Sequence, residues 1–257
     1  MVRRREQMEI AEARSREWKR PWVSESKNRD YLSKHKMHLV EMLAQTPLHT
    51  KFGDWTYMVF GEYASGKLHT AMVYGRANGK KMRDGSEVLV RVHSSCATSE
   101  LFHATNCECR EELDEAMRRI RRNRGGIIIY LDQEGAGNGL VAKTMAYAMA
   151  FGWRNGRAVQ RKRGGKPLSV YKAYKMLGYG DEARDFSAAA AMLKSIGVRS
   201  VRLMTNNMAK VDGLEKEGVK AVPYGIHIRP RDAAMAAHIR SKAEELGHRI
   251  GKGDWKR

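Results

Sequence analysis

The chain has few cysteines and no long apolar run, and each of these two absences excludes a class of protein. Three cysteines and five prolines occur among the 257 residues. Three cysteines cannot form the paired framework that stabilises small secreted domains. No stretch approaches the roughly 20 apolar residues that a membrane-spanning helix needs, so we expect a soluble protein without a membrane partner. The basic first residues are followed by no apolar segment, which predicts a cytoplasmic protein.

Acidic residues are also scarce, and the resulting charge predicts a polyanionic partner. The 48 Lys and Arg residues exceed the 29 Asp and Glu residues and leave a formal net charge of +19. Such an excess suits nucleic acid, an acidic surface or a phosphorylated small molecule equally. Residues 1–36 are dense in both charges and are interpreted as a charged N-terminal extension. Residues 154–175 carry only basic charges among glycines and are predicted to be a basic loop.

The spacing of apolar residues changes along the chain and predicts a mixed fold. Short β-rich runs in the first half favour an antiparallel or mixed sheet, and from residue 110 helical periods alternate with strand-like runs. The predicted strands are 55–60, 68–74, 88–93, 126–131, 200–204 and 219–222, and the predicted helices are 110–124, 140–151, 185–196, 208–217 and 231–246. We expect an α/β (α+β) fold, with a mixed sheet and flanking helices, in one catalytic domain over residues 37–257.

All three cysteines lie close together in the sequence, which predicts a metal site. Ten residues separate Cys96 from Cys107, and one residue separates Cys107 from Cys109. Thiolates select zinc or iron–sulfur clusters, and a zinc ion with three protein ligands keeps a fourth position open for a reactive water. Two alternatives stay open: buried thiols without a metal, or a closed structural site completed by His93 or His103. The ligand pattern of zinc deaminases is absent from the sequence.

Several motifs in fixed order give the chain a family resemblance. They are Arg91-Val92-His93-Ser94-Ser95-Cys96, the two later cysteines, Gln133-Glu134-Gly135, Ala146-Tyr147-Ala148, Leu177-Gly178, Arg184-Asp185-Phe186 and Thr205-Asn206-Asn207 with Lys210. Over residues 52–250 the sequence resembles GTP cyclohydrolase II. The resemblance implies a zinc-dependent hydrolase that opens the imidazole ring of GTP. Formate and pyrophosphate leave, and the product is the diaminopyrimidine precursor of riboflavin.

The resemblance also implies cofactors and partners. They are one zinc ion per chain, magnesium with the phosphates, GTP or a related purine nucleotide, and a second copy of the chain in a homodimer.

The same resemblance assigns roles to individual residues. Cys96, Cys107 and Cys109 are implied to hold the zinc ion. The implied catalytic residues are Tyr147, which positions the attacking water or the opening ring, Glu182, which accepts a proton, and Arg184, which attacks the α-phosphorus; Asp181 is the alternative acceptor. The implied substrate-binding residues are Arg91, Val92, His93, Ser94, Ser95, Glu112, Glu134, Gly135, Ala136, Ser169, Thr205 and Lys210. Within this set, Glu134 is the natural acceptor for the guanine donors, and Lys210 suits a phosphate.

Four positions depart from the family pattern. Asp132 and Ala136 stand where the family has arginines, Ser95 where it has Glu, and Glu112 where it has Gln. A lost charge-assisted hydrogen bond costs about 1.5–3 kcal/mol if nothing replaces it. We therefore expect a rebuilt ligand site in which the basic loop supplies the missing cations.

Two alternatives to GTP ring opening stay open. One is a specialised homologue that keeps the formyl group or uses another purine nucleotide. The other is a nucleic-acid-binding zinc protein, which would explain the net charge but not the downstream nucleotide motifs.

Overall fold

The computed structural model describes residues 40–75 and 87–249. The predicted N-terminal extension, residues 1–36, lies outside the described residues and stays a prediction. A membrane-spanning helix would have to be longer and more apolar than any helix found in this described part.

The strands fall into one large sheet and two small ones. They are β1 (Val40–Thr50), β2 (Gly53–Glu62), β3 (Leu68–Gly75), β4 (Val88–Ser94), β5 (Gly125–Leu131), β6 (Phe151–Arg154), β7 (Arg157–Gln160), β8 (Lys162–Arg163), β9 (Lys166–Pro167), β10 (Ser200–Met204) and β11 (Lys220–Tyr224). The large sheet has seven strands in the order β1-β2-β3-β5-β4-β10-β11. Its first four strands pair antiparallel and its last four pair parallel. The predicted mixed sheet is therefore confirmed.

Helices flank this sheet, as predicted. They are α1 (Ala97–Glu100), α2 (Cys109–Arg122), α3 (Gly139–Ala150), α4 (Val170–Met176), α5 (Ser187–Ser195), α6 (Met208–Lys216) and α7 (Ala233–Leu246). The five predicted helices correspond to α2, α3, α5, α6 and α7 with ends shifted by a few residues. The short helices α1 and α4 were not predicted.

The basic loop predicted over residues 154–175 is wrong. Strands β6 and β7 form a hairpin through Asn155 and Gly156, and β8 pairs with β9 in a second one. Both turn residues have positive φ, at 51° and 71°, which is the backbone that Asn-Gly favours in a tight hairpin. The many basic residues around this Asn-Gly pair led to the prediction of a loop instead of a hairpin. Residues 170–176 form α4, which begins at Ser169 because its hydroxyl oxygen accepts a hydrogen bond from the Lys172 amide at 3.0 Å.

The centre of the sheet is buried on both faces, because alternate residues of a strand point to opposite sides and each side packs in an apolar cluster. In β5, Ile127 and Ile129 pack with Leu193 of α5 in one apolar cluster. Ile128 packs with Ile120 of α2 in another cluster on the opposite face. Full burial of each such side chain contributes about 1.5–3 kcal/mol. A third cluster joins α3 to α4.

One edge of the large sheet collects the ends of its parallel strands. Strands β5, β4 and β10 are neighbours that run in the same direction. Asp132, Ser95 and Thr205 are the first residues after these three strands. In sheets of this kind ligands bind just outside the carboxyl ends of the strands. This edge therefore positions the candidate site.

Candidate metal and nucleotide site

The three cysteines meet at the carboxyl end of β4. Their Sγ atoms all lie within 4.8 Å of one another, and the Sγ atoms of Cys96 and Cys107 are 3.8 Å apart. Cys96 immediately precedes α1 and Cys109 is the first residue of α2, so the connection between these helices brings the thiols together. Tetrahedral zinc with Zn–S bonds of about 2.3 Å holds its sulfurs roughly 3.8 Å apart. The cluster fits a single zinc ion.

Neither histidine considered as a fourth ligand belongs to this cluster. His93 Nε2 lies 2.7 Å from Glu100 Oε1. His103 Nε2 lies 3.1 Å from Arg110 Nη1. Over residues 40–75 and 87–249, the group with metal-ligand geometry consists of the three cysteines alone. A closed structural site with an imidazole ligand is therefore not formed here.

The thiols open into a cleft that we call the thiol cavity, lined by Cys96, Cys107, Cys109 and residues 94–95, 133–136 and 170–171 among others. Tyr147 and Tyr174 also line it. Burial and the neighbouring cysteine thiols raise the pKa of Tyr147, and burial raises the pKa of Tyr174 to about 12. Both hydroxyls therefore keep their protons and are able to donate hydrogen bonds at neutral pH.

Lys143 and Glu134 form a buried pair beside the thiols. Lys143 Nζ lies 2.7 Å from Glu134 Oε1 and 3.1 Å from Cys96 Sγ. Burial opposes the charge of Lys143, but the acidic groups around it raise the pKa of its ammonium group. Glu134 also accepts hydrogen bonds from the amides of Gly135 and Ala97, at 2.9 and 2.7 Å. Three of its roughly four acceptor positions are thus used within the protein, and a contact to guanine stays a prediction.

The backbone after Glu134 has an unusual conformation. Gly135, Ala136 and Gly137 have φ values of 63°, 56° and 90°. A Cβ on Gly137 would lie 2.5 Å from the carbonyl of Ala183, so only glycine fits there. Ala136 has no such freedom, because a left-handed residue with a Cβ is strained by about 1–2 kcal/mol. Its methyl group lines the thiol cavity where the family resemblance implies an arginine.

A second cleft, which we call the cation cavity, adjoins the thiol cavity. Four basic side chains line it: Arg91, Arg184, Lys210 and Lys242. The two cavities share Ser94, Cys109, Arg184 and Lys242. The thiols and the basic cluster therefore belong to one continuous site.

Arg91 and Lys210 sit deep in the cation cavity. Arg91 Nη2 lies 2.5 Å from Glu112 Oε2, and Arg91 Nη1 donates to the Met204 carbonyl at 2.9 Å. Lys210 Nζ donates to the Val92 carbonyl at 2.8 Å. Burial and the positive charges of Arg91 and Arg184 hold the pKa of Lys210 well below its ordinary value. An anion in this cavity would favour the charged form of Lys210.

Arg184 lies where the two cavities join, and Glu182 holds it there. Arg184 Nε is 2.6 Å from Glu182 Oε1, and a second hydrogen bond joins Nη2 to Oε2. Burial would raise the pKa of Glu182, but the guanidinium of Arg184 outweighs it and lowers that pKa. Asp181 instead pairs with Lys175 at 2.6 Å. Of the two candidate acceptors, Glu182 is the one beside Arg184.

The remaining predicted residues divide into those that line the site and those that do not. Ser94, Ser95 and Thr205 line the cavities, and the buried hydroxyls of both serines lack a hydrogen-bond partner among the described residues. Val92 contributes its carbonyl to Lys210, whereas Ser169 caps α4 and lines neither cavity. The strands and turns at 154–167 also line neither cavity, so the expected supply of cations from this segment is not found.

Several lining residues were missed by sequence reasoning. Lys143 lies four residues before Tyr147 on the same face of α3, a spacing that could have found it. Lys242 and His248 come from the end of the chain, far from every motif. Nothing in their local sequence indicates contact with the site.

The model of the family described as GTP cyclohydrolase II matches residues 41–225. The chain belongs to the GTP cyclohydrolase II family. This match covers the three cysteines, Tyr147, Arg184 and Lys210. It confirms the resemblance found in the sequence.

The chain matches curated relatives of two different lengths. The GTP cyclohydrolase-2 of Buchnera aphidicola subsp. Schizaphis graminum is 33% identical over 84% of this chain and 100% of that protein. That of Escherichia fergusonii is 33% identical over 83% of this chain and 98% of that protein. The riboflavin biosynthesis protein RibBA of Parabacteroides distasonis is 36% identical over 82% of this chain and 47% of that protein. The chain thus spans about half the length of the RibBA relatives that it matches.

A solved structure has a weaker likeness. It is RibBX, described as a two-domain 3,4-dihydroxy-2-butanone 4-phosphate synthase from A. baumannii, with 15% identity and a TM-score of 0.38 over 78% of this chain and 44% of that chain. A likeness this slight supports no argument.

Proposed function

We propose that the protein opens the imidazole ring of GTP and releases formate and pyrophosphate, giving a diaminopyrimidine ribonucleotide for riboflavin biosynthesis. The observation that carries this proposal is the junction of the thiol cavity with the cation cavity. A purine nucleoside triphosphate has two matching parts, a ring susceptible to hydrolysis and a polyanionic tail. Family membership and the relatives named GTP cyclohydrolase-2 support the same reaction.

Cys96, Cys107 and Cys109 would hold one zinc ion per chain. Their spacing and their sulfur donors suit zinc, and no histidine closes the cluster within the described residues. Zinc bound there would supply a Lewis acid and lower the pKa of water at its open side to about 7. The chain itself keeps the three thiols together and leaves their open side toward the cavity that Tyr147 lines.

The guanine ring would lie in the thiol cavity. Tyr147 keeps its proton because burial raises its pKa, so its hydroxyl is available to donate to the attacking water or to the opening ring. Ser95 has a buried hydroxyl without a partner, which suits a polar edge of the base. Tyr174 is buried and forms part of the cavity wall. Glu134 holds the start of α1 through the Ala97 amide, and Lys143 in turn pairs with Glu134.

The phosphates would lie in the cation cavity. Arg91, Lys210 and Thr205 line this end, and Mg²⁺ would share the charge of the triphosphate. Arg184 lies between the two ends, where the α-phosphate of a nucleotide spanning both cavities would reach it. Glu182 forms two hydrogen bonds with the guanidinium, so it is positioned to accept a proton from Arg184.

One observation favours a second candidate within the family. The wall beside the thiol cavity carries the methyl group of Ala136, and the position of the second missing arginine is held by Asp132. A site changed in this way suits a specialised homologue that keeps the formyl group or takes another purine nucleotide. The mass of the product distinguishes the two candidates.

We further propose the assembly and the cellular compartment that the family resemblance implies. A homodimer in the cytoplasm agrees with the family, and the exposed apolar side chains of Leu101 and Phe102 offer surface for a partner copy. Light scattering on the purified protein measures the assembly. Nucleic acid is not proposed as a partner, because such a function would leave the three-thiol cluster and the adjoining cation cavity unexplained.

The decisive experiment combines activity with metal content on one sample. The full chain is incubated with GTP and Mg²⁺ while formate, pyrophosphate and the pyrimidine product are followed, and zinc is measured by elemental analysis. We expect about one zinc ion per chain and formate release that stops when zinc is removed. A zinc-loaded sample that turns over no purine nucleotide, or that binds DNA or RNA with strong salt dependence instead, would overturn the proposal.

A further inference from the structure

The C-terminal segment, residues 233–249, folds back onto the candidate site although the match to the family ends at residue 225. Helix α7 is fixed at its start by Asp232, whose carboxylate accepts from the Met235 amide at 2.8 Å. His238 stacks on Tyr171 with ring centroids 5.8 Å apart. Beyond the helix, the Arg249 amide donates to the Asn206 carbonyl at 2.9 Å. The segment thus reaches from the thiol cavity to the residues that follow β10.

Lys242 of this segment lines both cavities. Its side chain is 12% exposed, and its ammonium group pairs with the Glu108 carboxylate. Burial opposes the charge, but Glu108 and Glu112 outweigh it and hold the pKa of Lys242 well above its ordinary value. The side chain is therefore a charged group at the junction of the two cavities.

His248 presents a polar atom that the protein leaves unused. Its Nε2 atom is buried and has no hydrogen-bond partner among the described residues, and the ring lines the cation cavity. Burial, together with Lys242 and Arg184, lowers the pKa of His248 to about 2, so the ring is neutral. A buried polar atom without a partner is costly unless a ligand satisfies it.

Carboxylates already pair with most of the cations around the cavity. Arg91 and Arg184 are already paired with Glu112 and Glu182, and burial disfavours the charge of Lys210. A nucleoside triphosphate remains an anion even with Mg²⁺ bound. Lys242 is likewise paired, with Glu108, so α7 contributes a further hydrogen-bond donor for the phosphates rather than an unpaired charge.

We propose that the C-terminal segment completes the phosphate end of the nucleotide site, with Lys242 Nζ contacting the phosphates and His248 Nε2 donating a hydrogen bond to a phosphate oxygen. This inference rests on the proposed function. The competing explanation is structural: Lys242 would serve only as the counter-ion of Glu108, which stands between two of the thiols. The two explanations predict different losses when Lys242 is replaced.

The test compares Lys242→Met with Lys216→Met, which replaces an exposed lysine of α6. For each variant we would measure zinc content, melting temperature, KM and kcat for GTP with Mg²⁺, and calorimetric affinity for inorganic pyrophosphate and for guanosine. Lys242→Met is expected to weaken GTP and pyrophosphate by about tenfold to hundredfold, the loss of one charge-assisted hydrogen bond. Zinc content and guanosine affinity are expected to match those of Lys216→Met.

Two further variants keep the inference testable if Lys242→Met folds poorly. Lys242→Arg retains the charge and should recover most of the pyrophosphate affinity, and His248→Gln should weaken pyrophosphate by about tenfold or less. Equal losses for pyrophosphate and guanosine, loss of zinc, or no change in any variant would overturn the inference. Wild-type protein that binds pyrophosphate through Lys242 but releases no formate from GTP would overturn the proposed function instead.

Discussion

The two cavities of the site lie side by side yet are assembled in different ways. The thiol cavity takes its three thiols from residues 96–109. The cation cavity collects Arg91, Arg184, Lys210 and Lys242 from four separate parts of the chain. Local sequence therefore specifies the first cavity, whereas only the completed fold creates the second. The difference teaches that a thiol cluster formed by residues close in sequence is easier to find than a pocket whose cations come from distant positions.

Removing one thiol should produce the largest difference between the two cavities, because a metal site with only two protein ligands loses its ion. We expect Cys107→Ser to lose zinc and to lower kcat by about a thousandfold or more, since the metal-supplied chemistry disappears. Elemental analysis and formate release measure both effects. The cation cavity should survive, so pyrophosphate affinity is expected to stay within about threefold of wild type.

Tyr147→Phe is the matched control for the thiol variant. It removes a hydroxyl from the same cavity without touching a metal ligand. Zinc should remain at about one ion per chain while kcat falls. Loss of zinc in this control, or full activity in zinc-free Cys107→Ser, would contradict the assignment of the three thiols.

Glu112→Gln tests the cation cavity through the pH dependence of the free energy of unfolding. The buried pair with Arg91 lowers the pKa of Glu112, although burial acts in the opposite direction. Because the folded pKa lies below the unfolded one, this carboxylate stabilises the fold above about pH 4.5, and the contribution is lost as the pH falls toward the folded pKa. Urea unfolding of wild type and variant between pH 3 and pH 7 measures this.

We expect Glu112→Gln to cost about 1–3 kcal/mol at pH 7 and less at pH 3. Glu115→Gln is the control, because Glu115 forms its ion pairs on the surface of α2. Its effect should be about 1 kcal/mol or less at any pH. A pH-independent loss for Glu112→Gln would show that packing rather than charge holds the pair.

The smallest effect is expected from the basic hairpins. Arg157, Lys162 and Lys166 are exposed and line neither cavity. Replacing all three with serine should change KM for GTP by about twofold or less at moderate salt, because exposed charges at a distance are screened. A tenfold rise in KM would restore the original expectation that this segment supplies the missing cations.

Sequence reasoning recovered six of the seven strands of the large sheet, five helices and the proximity of the three cysteines for physical reasons, but it missed β1. Apolar runs such as 126–131 are buried on both faces, so their pattern is strong. Helix α4 escaped because Lys172 and Lys175 interrupt a short segment whose apolar residues face α3. The pairing of Glu134 with Lys143 was missed because it depends on how α3 packs against the turn that follows Glu134 rather than on either residue type.

The residues of α7 were the hardest to anticipate. Their apolar periodicity predicted a helix correctly, but periodicity reports which face is buried and not what lies beneath it. Lys242 is buried against Glu108, more than 130 positions earlier in the chain. Contacts of this range arise only from tertiary packing, so a single sequence carries no local mark of them.

The strained backbone of Ala136 limits how this loop could be redesigned. Any side chain at position 136 adopts a left-handed φ and extends toward the same wall of the thiol cavity. A charged side chain there therefore also adds bulk. Exchange for glycine would relieve the torsional cost and add empty space, whereas exchange for arginine would fill that space while keeping the cost. At that wall of the thiol cavity, the open space is therefore set by a single methyl group between two glycines.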